Sequence, residues 1–295
     1  MKTTLLTLPC LLLVLPLASH AQVLLVSNIA GNTIDAIDSS GAGSVFSSFQ
    51  PGPQGMAFDA AGNLYVANGA STIEKFAPSG MGTVFASATS GLYFPGGLAF
   101  DAAGNLFVAN FYTNTILRID PTGGSTLFAT KLSGLNYPNG LAFDKAGNLY
   151  VCNQGGANVE RFDSSGTGTV FANGSLNEPT GLAFDAQGNL YVSNMGNNTI
   201  AKITPAGVTT IFANVGLSRP LGLVFDSAGN LYVANAGNNT IEEFDSSGVG
   251  KVFSSYSGLD EPNFLVFEPV PEPSVCALLV CGLVLAKRRN VRFHR

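Results

Sequence analysis

The chain has 295 residues, of which 46% are hydrophobic and 11% are charged, and its formal net charge is −5. This hydrophobic content excludes an intrinsically disordered chain, which combines low hydrophobicity with high net charge, and the acidic balance argues against a nucleic-acid-binding protein, which carries a basic stripe. With 35 Gly, 21 Phe and no Trp, the composition favours short, tightly turned strands over a helical bundle.

Residues 1–21 have the pattern of a secretory signal peptide. Lys2 supplies a positive charge, residues 5–17 are apolar, and Ser19 and Ala21 supply small side chains at −3 and −1 of a cleavage site. We therefore expect signal peptidase to release an exported chain that begins at Gln22.

One motif recurs along the middle of the chain. The sequence FDAAGNLYVAN occupies residues 58–68 and returns, with few changes, at 100–110, 143–153, 184–194 and 225–235. Successive copies are 41 to 43 residues apart, which is the length of a four-stranded blade of a β-propeller. The repeats therefore predict an all-β propeller.

Each repeat divides into four predicted strands. In the second full repeat these are residues 97–100, 105–110, 115–120 and 126–129, separated by turns rich in Gly, Asn and Asp. Because one repeat cannot bury its apolar faces alone, we expect two Phe residues of each blade to pack between neighbouring blades, each contributing roughly 1.5–3 kcal/mol. The expected packing residues are Phe58, Phe100, Phe143, Phe184, Phe225 and Phe267 of the first strands and Phe46, Phe85, Phe128, Phe171, Phe212 and Phe253 of the fourth strands.

The two ends of the repeat region supply one more blade. Residues 23–28, 33–38 and 44–49 are predicted as second, third and fourth strands without a first, and residues 262–268 as a lone first strand. We therefore predict a six-bladed propeller with four-stranded blades over residues 22–268, closed by pairing of N- and C-terminal strands in one shared blade. Closure removes the sheet edges that an open array would expose.

The repeat pattern resembles a known family. Residues 23–268 repeat the pattern Pro-x-Gly-Leu-Ala-Phe-Asp, Gly-Asn-Leu-Tyr-Val-Ala-Asn and Gly-Asn-x-x-Ile, which resembles NHL repeats and the related six-bladed propellers of the gluconolactonase-like and streptogramin-lyase-like families. Typical NHL units carry Asp after Val-Ala and a basic residue before the Ile. Here those positions hold Asn and, in most repeats, Thr, so the resemblance gives no support for RNA binding.

The predicted propeller has little of the chemistry used by lyases and hydrolases. The two histidines, His20 and His294, lie in the leader and the tail, which excludes a Ser-His-Asp site, a His-ligated zinc or a His general base within one propeller. Lyases of the streptogramin type depend on His and are not supported. Cys152 is the one cysteine of the region, and we expect it to be a buried structural thiol. No catalytic residue is therefore predicted.

Two polar residues recur at the strand ends of each repeat. The Asn residues that end the second strands are Asn28, Asn68, Asn110, Asn153, Asn194 and Asn235. Such oxygens at the channel mouth would suit a Ca²⁺-dependent hydrolase or lactonase of the gluconolactonase-like type. A residue present in every blade is more simply explained by every blade's turn, so we expect no cofactor and keep Ca²⁺ as the alternative. The same turn role is predicted at the opposite rim for Asp59, Asp101, Asp144, Asp185 and Asp226.

Function is expected where the repeats differ. The aromatic residues that stand out are Tyr93, Phe94, Phe111, Tyr112 and Tyr137. Because loops after second and fourth strands emerge on the same face, these side chains are predicted to form one exposed patch that stacks on sugar rings or contacts a partner. The alternative is that they simply pack against one another. The charged residues of the same rim are Glu178, Arg219, Asp260 and Glu261, and they form no recognisable catalytic pair.

The C-terminus carries a second targeting pattern. Pro271, Glu272 and Pro273 lie in a linker at 269–274, which is followed by an apolar segment at 275–286 and a basic tail at 287–295. The apolar segment is short for a hydrocarbon core of ~30 Å. By the positive-inside rule, the basic tail would remain cytoplasmic and the preceding domain would be exported.

This order of features resembles the PEP-CTERM sorting signal of Gram-negative bacteria. The apolar segment is expected to form a short hydrophobic helix that engages the membrane before processing. The resemblance implies recognition and cleavage near the motif by a membrane-embedded exosortase. It also implies localisation in the cell envelope, at the cell surface or in the extracellular matrix, often beside exopolysaccharide production.

The sequence as a whole predicts an exported, non-catalytic propeller that acts as a binding or scaffold module. Its expected partner is an exopolysaccharide or an envelope protein, and no nucleic acid. The alternative is a Ca²⁺-dependent hydrolase or lactonase that uses the channel mouth.

Overall fold

A computed structural model describes residues 22–48 and 52–269, which form six four-stranded antiparallel sheets. The partial repeat at the start contains β1 (Leu24–Asn28), β2 (Thr33–Ile37) and β3 (Gly43–Ser48). The next two blades contain β4 (Pro53–Phe58), β5 (Leu64–Asn68), β6 (Thr72–Phe76), β7 (Gly82–Ala86), β8 (Pro95–Phe100), β9 (Leu106–Asn110), β10 (Thr115–Ile119) and β11 (Ser125–Ala129). The following blades contain β12 (Pro138–Phe143), β13 (Leu149–Asn153), β14 (Asn158–Phe162), β15 (Gly168–Ala172), β16 (Pro179–Phe184), β17 (Leu190–Asn194), β18 (Thr199–Ile203), β19 (Thr209–Ala213), β20 (Pro220–Phe225), β21 (Leu231–Asn235), β22 (Thr240–Phe244) and β23 (Gly250–Ser254), and β24 (Pro262–Phe267) comes last. Short 3₁₀ turns lie at Ala88–Ser90, Lys131–Ser133 and Gln154–Gly156.

The two ends of the repeat region meet in one sheet of strand order β24-β1-β2-β3. Within it Leu24 pairs with Phe267 and Val26 pairs with Leu265, antiparallel. The predicted six blades and the predicted shared blade are therefore confirmed. The first strand of each full blade begins two residues earlier than expected, at a proline such as Pro95, because a proline is tolerated as the first residue of a strand.

The core lies in six layers, each between two neighbouring blades. In five of them an aromatic ring of the second strand packs edge-on against the two Phe residues predicted to lie between blades. Tyr191, for example, lies 4.9 Å from both Phe212 of its own blade and Phe225 of the next, measured between ring centroids. Phe46 is more exposed than its counterparts, at 37%, although it contacts Phe76 at 6.2 Å just as Phe128 contacts Phe162.

Glycine allows the first strands to run side by side around the central axis. A Cβ on Gly97 would lie 2.4 Å from the backbone oxygen of Asn139, and one on Gly140 would lie 2.4 Å from that of Thr180. Both distances are too short for any other residue, so backbones meet directly in the innermost ring.

The predicted segments at the two ends of the chain lie outside the described residues. They are the signal peptide at 1–21, the motif Pro271, Glu272 and Pro273, the apolar helix expected at 275–286 and the basic tail at 287–295. Among residues 22–48 and 52–269, no helix is long and apolar enough to cross a membrane.

Candidate functional site

The propeller has two rims with different polar chemistry. We call upper rim the one that carries the loops after second and fourth strands, and lower rim the one that carries the loops after first and third strands. In the second full blade, Pro95 pairs with Asn110 at the upper rim and Phe100 pairs with Leu106 at the lower rim.

The recurring Asp residues cap turns at the lower rim, as predicted. Asp59 accepts hydrogen bonds at Oδ1 from the backbone N–H groups of Ala61 and Asn63, and at Oδ2 from the side chain of Asn63. Burial raises the pKa of Asp59, but these hydrogen bonds outweigh it and lower that pKa overall. The same contacts recur at Asp101, Asp144, Asp185 and Asp226.

The Asn residues that end the second strands lie at the upper rim, where most of them hold the loop that enters their own blade. In the third full blade, Asn153 Oδ1 accepts from the backbone N–H of Asn136 at 3.1 Å, and its Nδ2 donates to the oxygen of Gly134 at 3.1 Å. Asn110, Asn194 and Asn235 bind their loops in the same two ways. Asn28 accepts from Asp260 and donates to Thr33, and Asn68 accepts from Ala70.

In five of the six blades, the residue before the first-strand proline has a left-handed backbone, whereas Gly52 before Pro53 does not. The φ angles are 48° at Phe94, 50° at Tyr137, 48° at Glu178, 48° at Arg219 and 50° at Glu261. This conformation is uncommon for residues other than glycine, and a neighbouring blade stabilises several copies of it. Ser71 Oγ accepts from the N–H of Phe94, and Asn114, Asn198 and Asn239 accept from Tyr137, Arg219 and Glu261.

Two of the six residues that precede the first-strand prolines are aromatic, Phe94 and Tyr137. The five predicted residues lie together at the upper rim and are called here the aromatic cluster, namely Tyr93, Phe94, Phe111, Tyr112 and Tyr137. Tyr112 lies 5.0 Å from Phe94 and 5.1 Å from Phe111, and Phe111 lies 5.2 Å from Tyr137.

The rings of the aromatic cluster pack against one another and also face solvent. Tyr93 is 57% exposed, Tyr112 is 53% exposed and Tyr137 is 43% exposed, whereas Phe94 and Phe111 are half-buried. The aromatics therefore pack against one another and also leave an exposed surface, in which the two Phe rings contact Tyr112 and Tyr137 and Tyr112 contacts Tyr93. Stacking on sugar rings or contact with a partner stays a prediction.

Three of the residues that precede the first-strand prolines are charged, namely Glu178, Arg219 and Glu261. Arg219 Nη1 lies 3.4 Å from Glu261 Oε1, and both side chains are exposed. An exposed ion pair of this kind stabilises the fold by at most about 1 kcal/mol. Charged and aromatic side chains therefore occupy different parts of the upper rim.

The described residues offer no recognisable metal centre. In residues 22–48 and 52–269, no group of three or more His, Cys, Asp or Glu lies close enough to hold an ion. The upper-rim Asn side chains already bind neighbouring groups, so they do not fit the set of six to eight oxygens that Ca²⁺ takes. Cys152 is buried with Sγ 3.6 Å from the oxygen of Gly181, and burial raises the pKa of its thiol, which keeps it protonated.

Comparison with known proteins identifies the family. The sequence model of the virginiamycin B lyase family matches residues 17–278. The chain belongs to the virginiamycin B lyase family. No curated protein sequence matches it at a significant level.

Solved structures resemble this member of the virginiamycin B lyase family along most of its length. A nidogen/laminin complex is 21% identical with a TM-score of 0.75, covering 84% of this chain and 98% of that one. A catalytically inactive histidine-to-alanine variant of virginiamycin B lyase from Staphylococcus aureus, with quinupristin, is 17% identical with a TM-score of 0.63 and coverages of 86% and 94%. A gluconolactonase from Xanthomonas campestris is 24% identical with a TM-score of 0.58 and coverages of 68% and 76%. At these identities the likeness establishes the fold.

Sequence reasoning missed three buried acids in this virginiamycin B lyase family member, Asp35, Glu160 and Glu242, of which Asp35 is the most deeply buried. Asp35 of β2 is fully buried, and neither carboxylate oxygen has a hydrogen-bond partner among the described residues. Burial raises its pKa, and the nearby polar groups of Thr33 and Asn28 offset only part of that shift. The sequence contained a sign of this difference. The central residue of the other third strands is either apolar or a glutamate, whereas β2 has the shorter Asp35 at that position.

Proposed function

We propose that this chain is an exported, non-catalytic member of its family that binds carbohydrate rings, such as those of an exopolysaccharide, on the aromatic cluster. The observation that carries the proposal is the contiguous surface of three exposed tyrosines, Tyr93, Tyr112 and Tyr137, supported by two Phe rings. Ring faces pack on the apolar faces of sugars, and phenol hydroxyls bind sugar hydroxyls.

The rigidity of the platform supports a binding role. Phe94 and Tyr137 have fixed left-handed backbones tied to the preceding blade, and Tyr93 is tied through its N–H to Asn110 at 3.0 Å. A surface that is already ordered loses less conformational entropy when it binds.

The chemistry of the propeller supports the non-catalytic part of the proposal. A histidine-to-alanine substitution accompanies the catalytically inactive state of the virginiamycin B lyase described above. In this chain both histidines, His20 and His294, lie outside residues 22–268. The Ca²⁺-dependent lactonase remains the alternative, although the described residues contain no group of three or more His, Cys, Asp or Glu that could hold its ion.

The targeting patterns support the cellular context. The leader at 1–21 and the Pro271-Glu272-Pro273 motif with its apolar and basic segments are the basis for proposing export, exosortase processing and retention at the cell surface or in the matrix. These features favour a polymer or envelope protein as the natural partner.

A glycan-binding screen tests the proposal. We expect the protein to bind at least one exopolysaccharide, and the double variant Phe111→Ala/Tyr112→Ala to bind it about tenfold more weakly or not at all. The matched control is Leu132→Ala, which removes a fully exposed apolar side chain outside the aromatic cluster. If the double variant remains folded and retains the binding profile of the wild type, the aromatic cluster is not the site.

A further inference from the structure

The layer between the shared blade and the first full blade differs from the other five. In those five, an aromatic residue of the second strand lies directly opposite a long charged residue of the third strand. The pairs are Tyr65/Lys75, Phe107/Arg118, Tyr150/Arg161, Tyr191/Lys202 and Tyr232/Glu243. In the shared blade the same register pairs Leu25 with Ala36. The shared blade therefore lacks both the aromatic ring and the long charged side chain that the other five blades have at this position.

Two of the complete layers show what that ring and charge do. Lys202 Nζ lies 5.1 Å from the centroid of the Tyr191 ring and 3.9 Å from Asp185 Oδ2. Lys75 Nζ lies 5.1 Å from the Tyr65 ring and 3.8 Å from Asp59 Oδ2. Each of these two layers thus holds an aromatic ring, an ammonium group over its face and a carboxylate at the lower rim.

The missing groups leave a larger and more apolar cavity. The cavity between the shared blade and the first full blade measures about 640 Å³ and is lined by Phe46, Phe58, Pro78 and Glu268 among others. Its counterpart beside Tyr191 and Lys202 measures about 320 Å³. The apolar character is extended by Ala77 and Pro78, which stand where the counterpart has Asp245 and Ser246.

One carboxylate remains in this cavity. Glu268 follows β24 at the position of the turn-capping Asp185, but among the described residues no ion pair or side-chain hydrogen bond reaches its carboxylate. Burial raises its pKa, which is the effect of partial desolvation without a neighbouring cation.

We propose that this cavity binds a small molecule made of an aromatic ring joined by a short chain to a protonated amine. The ring occupies the space that Tyr191 fills in the counterpart, between Phe46 and Phe58, and the ammonium group occupies the place of the Lys202 Nζ, beside Glu268. The ligand therefore supplies together the two groups that the pair Leu25/Ala36 lacks. A two-carbon spacer suits the ring-to-ammonium distance of 5.1 Å seen in the two complete layers.

Calorimetric titration of the full chain with 2-phenylethylammonium tests this proposal. We expect one site on the wild type, and about tenfold weaker binding by Glu268→Gln because a charge-assisted contact is lost. The neutral analogue 2-phenylethanol is expected to bind wild type and Glu268→Gln equally, and more weakly than the amine. Glu178→Gln, which removes an exposed carboxylate of the upper rim, is the matched control and should bind like the wild type.

The double variant Leu25→Tyr/Ala36→Lys fills the cavity with the residues that the other layers use. We expect it to fold and to lose 2-phenylethylammonium binding. If it does not fold, Glu268→Gln decides on its own. The proposal is overturned if the wild type does not bind the amine, as when the chain's own residues beyond Pro269 fill the cavity, if Glu268→Gln binds it as tightly as the wild type, or if the folded double variant still binds it.

Discussion

Asp35 provides a test of how a buried charge affects the shared blade. The carboxylate is fully buried without a hydrogen-bond partner in the described chain, and burial raises its pKa above the unfolded value of about 3.9. A raised folded pKa means that the folded state holds this proton more tightly. The stabilisation is therefore fully present below about pH 3.9 and is lost as the pH rises through the folded pKa.

The substitution Asp35→Asn removes the charge and preserves the shape. An unpartnered buried polar group costs about 1–3 kcal/mol, and more when it is charged. At pH 7 the wild type must either bury the charged carboxylate of Asp35 or take up a proton, and both cost free energy. We therefore expect the free energy of unfolding of Asp35→Asn to be about 1–3 kcal/mol higher than that of the wild type at this pH. The difference should shrink towards zero as the pH approaches the unfolded pKa.

Urea denaturation of both proteins between pH 4 and pH 7 measures this difference directly. Asp38→Asn is the matched control, because Asp38 ends the same strand region but is exposed, and hydrogen bonds from Ser40 and Ala42 lower its pKa. The ionised Asp38 therefore stabilises the fold above its unfolded pKa, and this stabilisation is lost as the pH falls. We expect Asp38→Asn to lower the free energy of unfolding at pH 7, whereas Asp35→Asn raises it. A variant Asp35→Asn that is no more stable than the wild type at pH 7, or a difference independent of pH, would refute the reasoning.

Three further substitutions test the blade contacts by chemical denaturation. Tyr191→Leu loses two edge-on ring contacts and should destabilise the protein by about 1–3 kcal/mol, and a change below the measurement error would contradict this. Asn153→Ala strands a backbone N–H and a carbonyl of the entering loop and should cost about 1–3 kcal/mol, with faster amide exchange in that loop as the second readout. Gly97→Ala places a Cβ 2.4 Å from a backbone oxygen and should cost more than about 3 kcal/mol, whereas Gly174→Ala, with no atom within 4 Å, should be neutral.

The sequence was sufficient to predict the fold because the repeat is both frequent and locally encoded. Five copies of one motif set the blade length, and the missing first strand before Val23 required a partner such as β24 at the other end. The turn role of Asp59 and its equivalents also follows from local chemistry, since an Asp can accept from N–H groups two and four residues later.

Contacts between distant segments were harder to foresee. The amide of Asn153 binds a loop that lies 17 to 19 residues earlier, and nothing in the motif itself names that partner. The proximity of Phe94, Phe111 and Tyr137 was predictable, because their loops share the upper rim. The contacts between the two Phe rings and the exposed tyrosines depend on ring positions that only the structure provides. The cavity between the shared blade and the first full blade had a sequence signal, because Leu25 and Ala36 stand where the full repeats have an aromatic and a long charged residue.

The pairing of Leu24 with Phe267 places both ends of the repeat region at the lower rim. Glu268 N–H donates to the oxygen of Val23 at 2.9 Å, so the described repeat region begins and ends at the lower rim. The aromatic cluster therefore lies on the face opposite to the point at which the first and last strands close the ring.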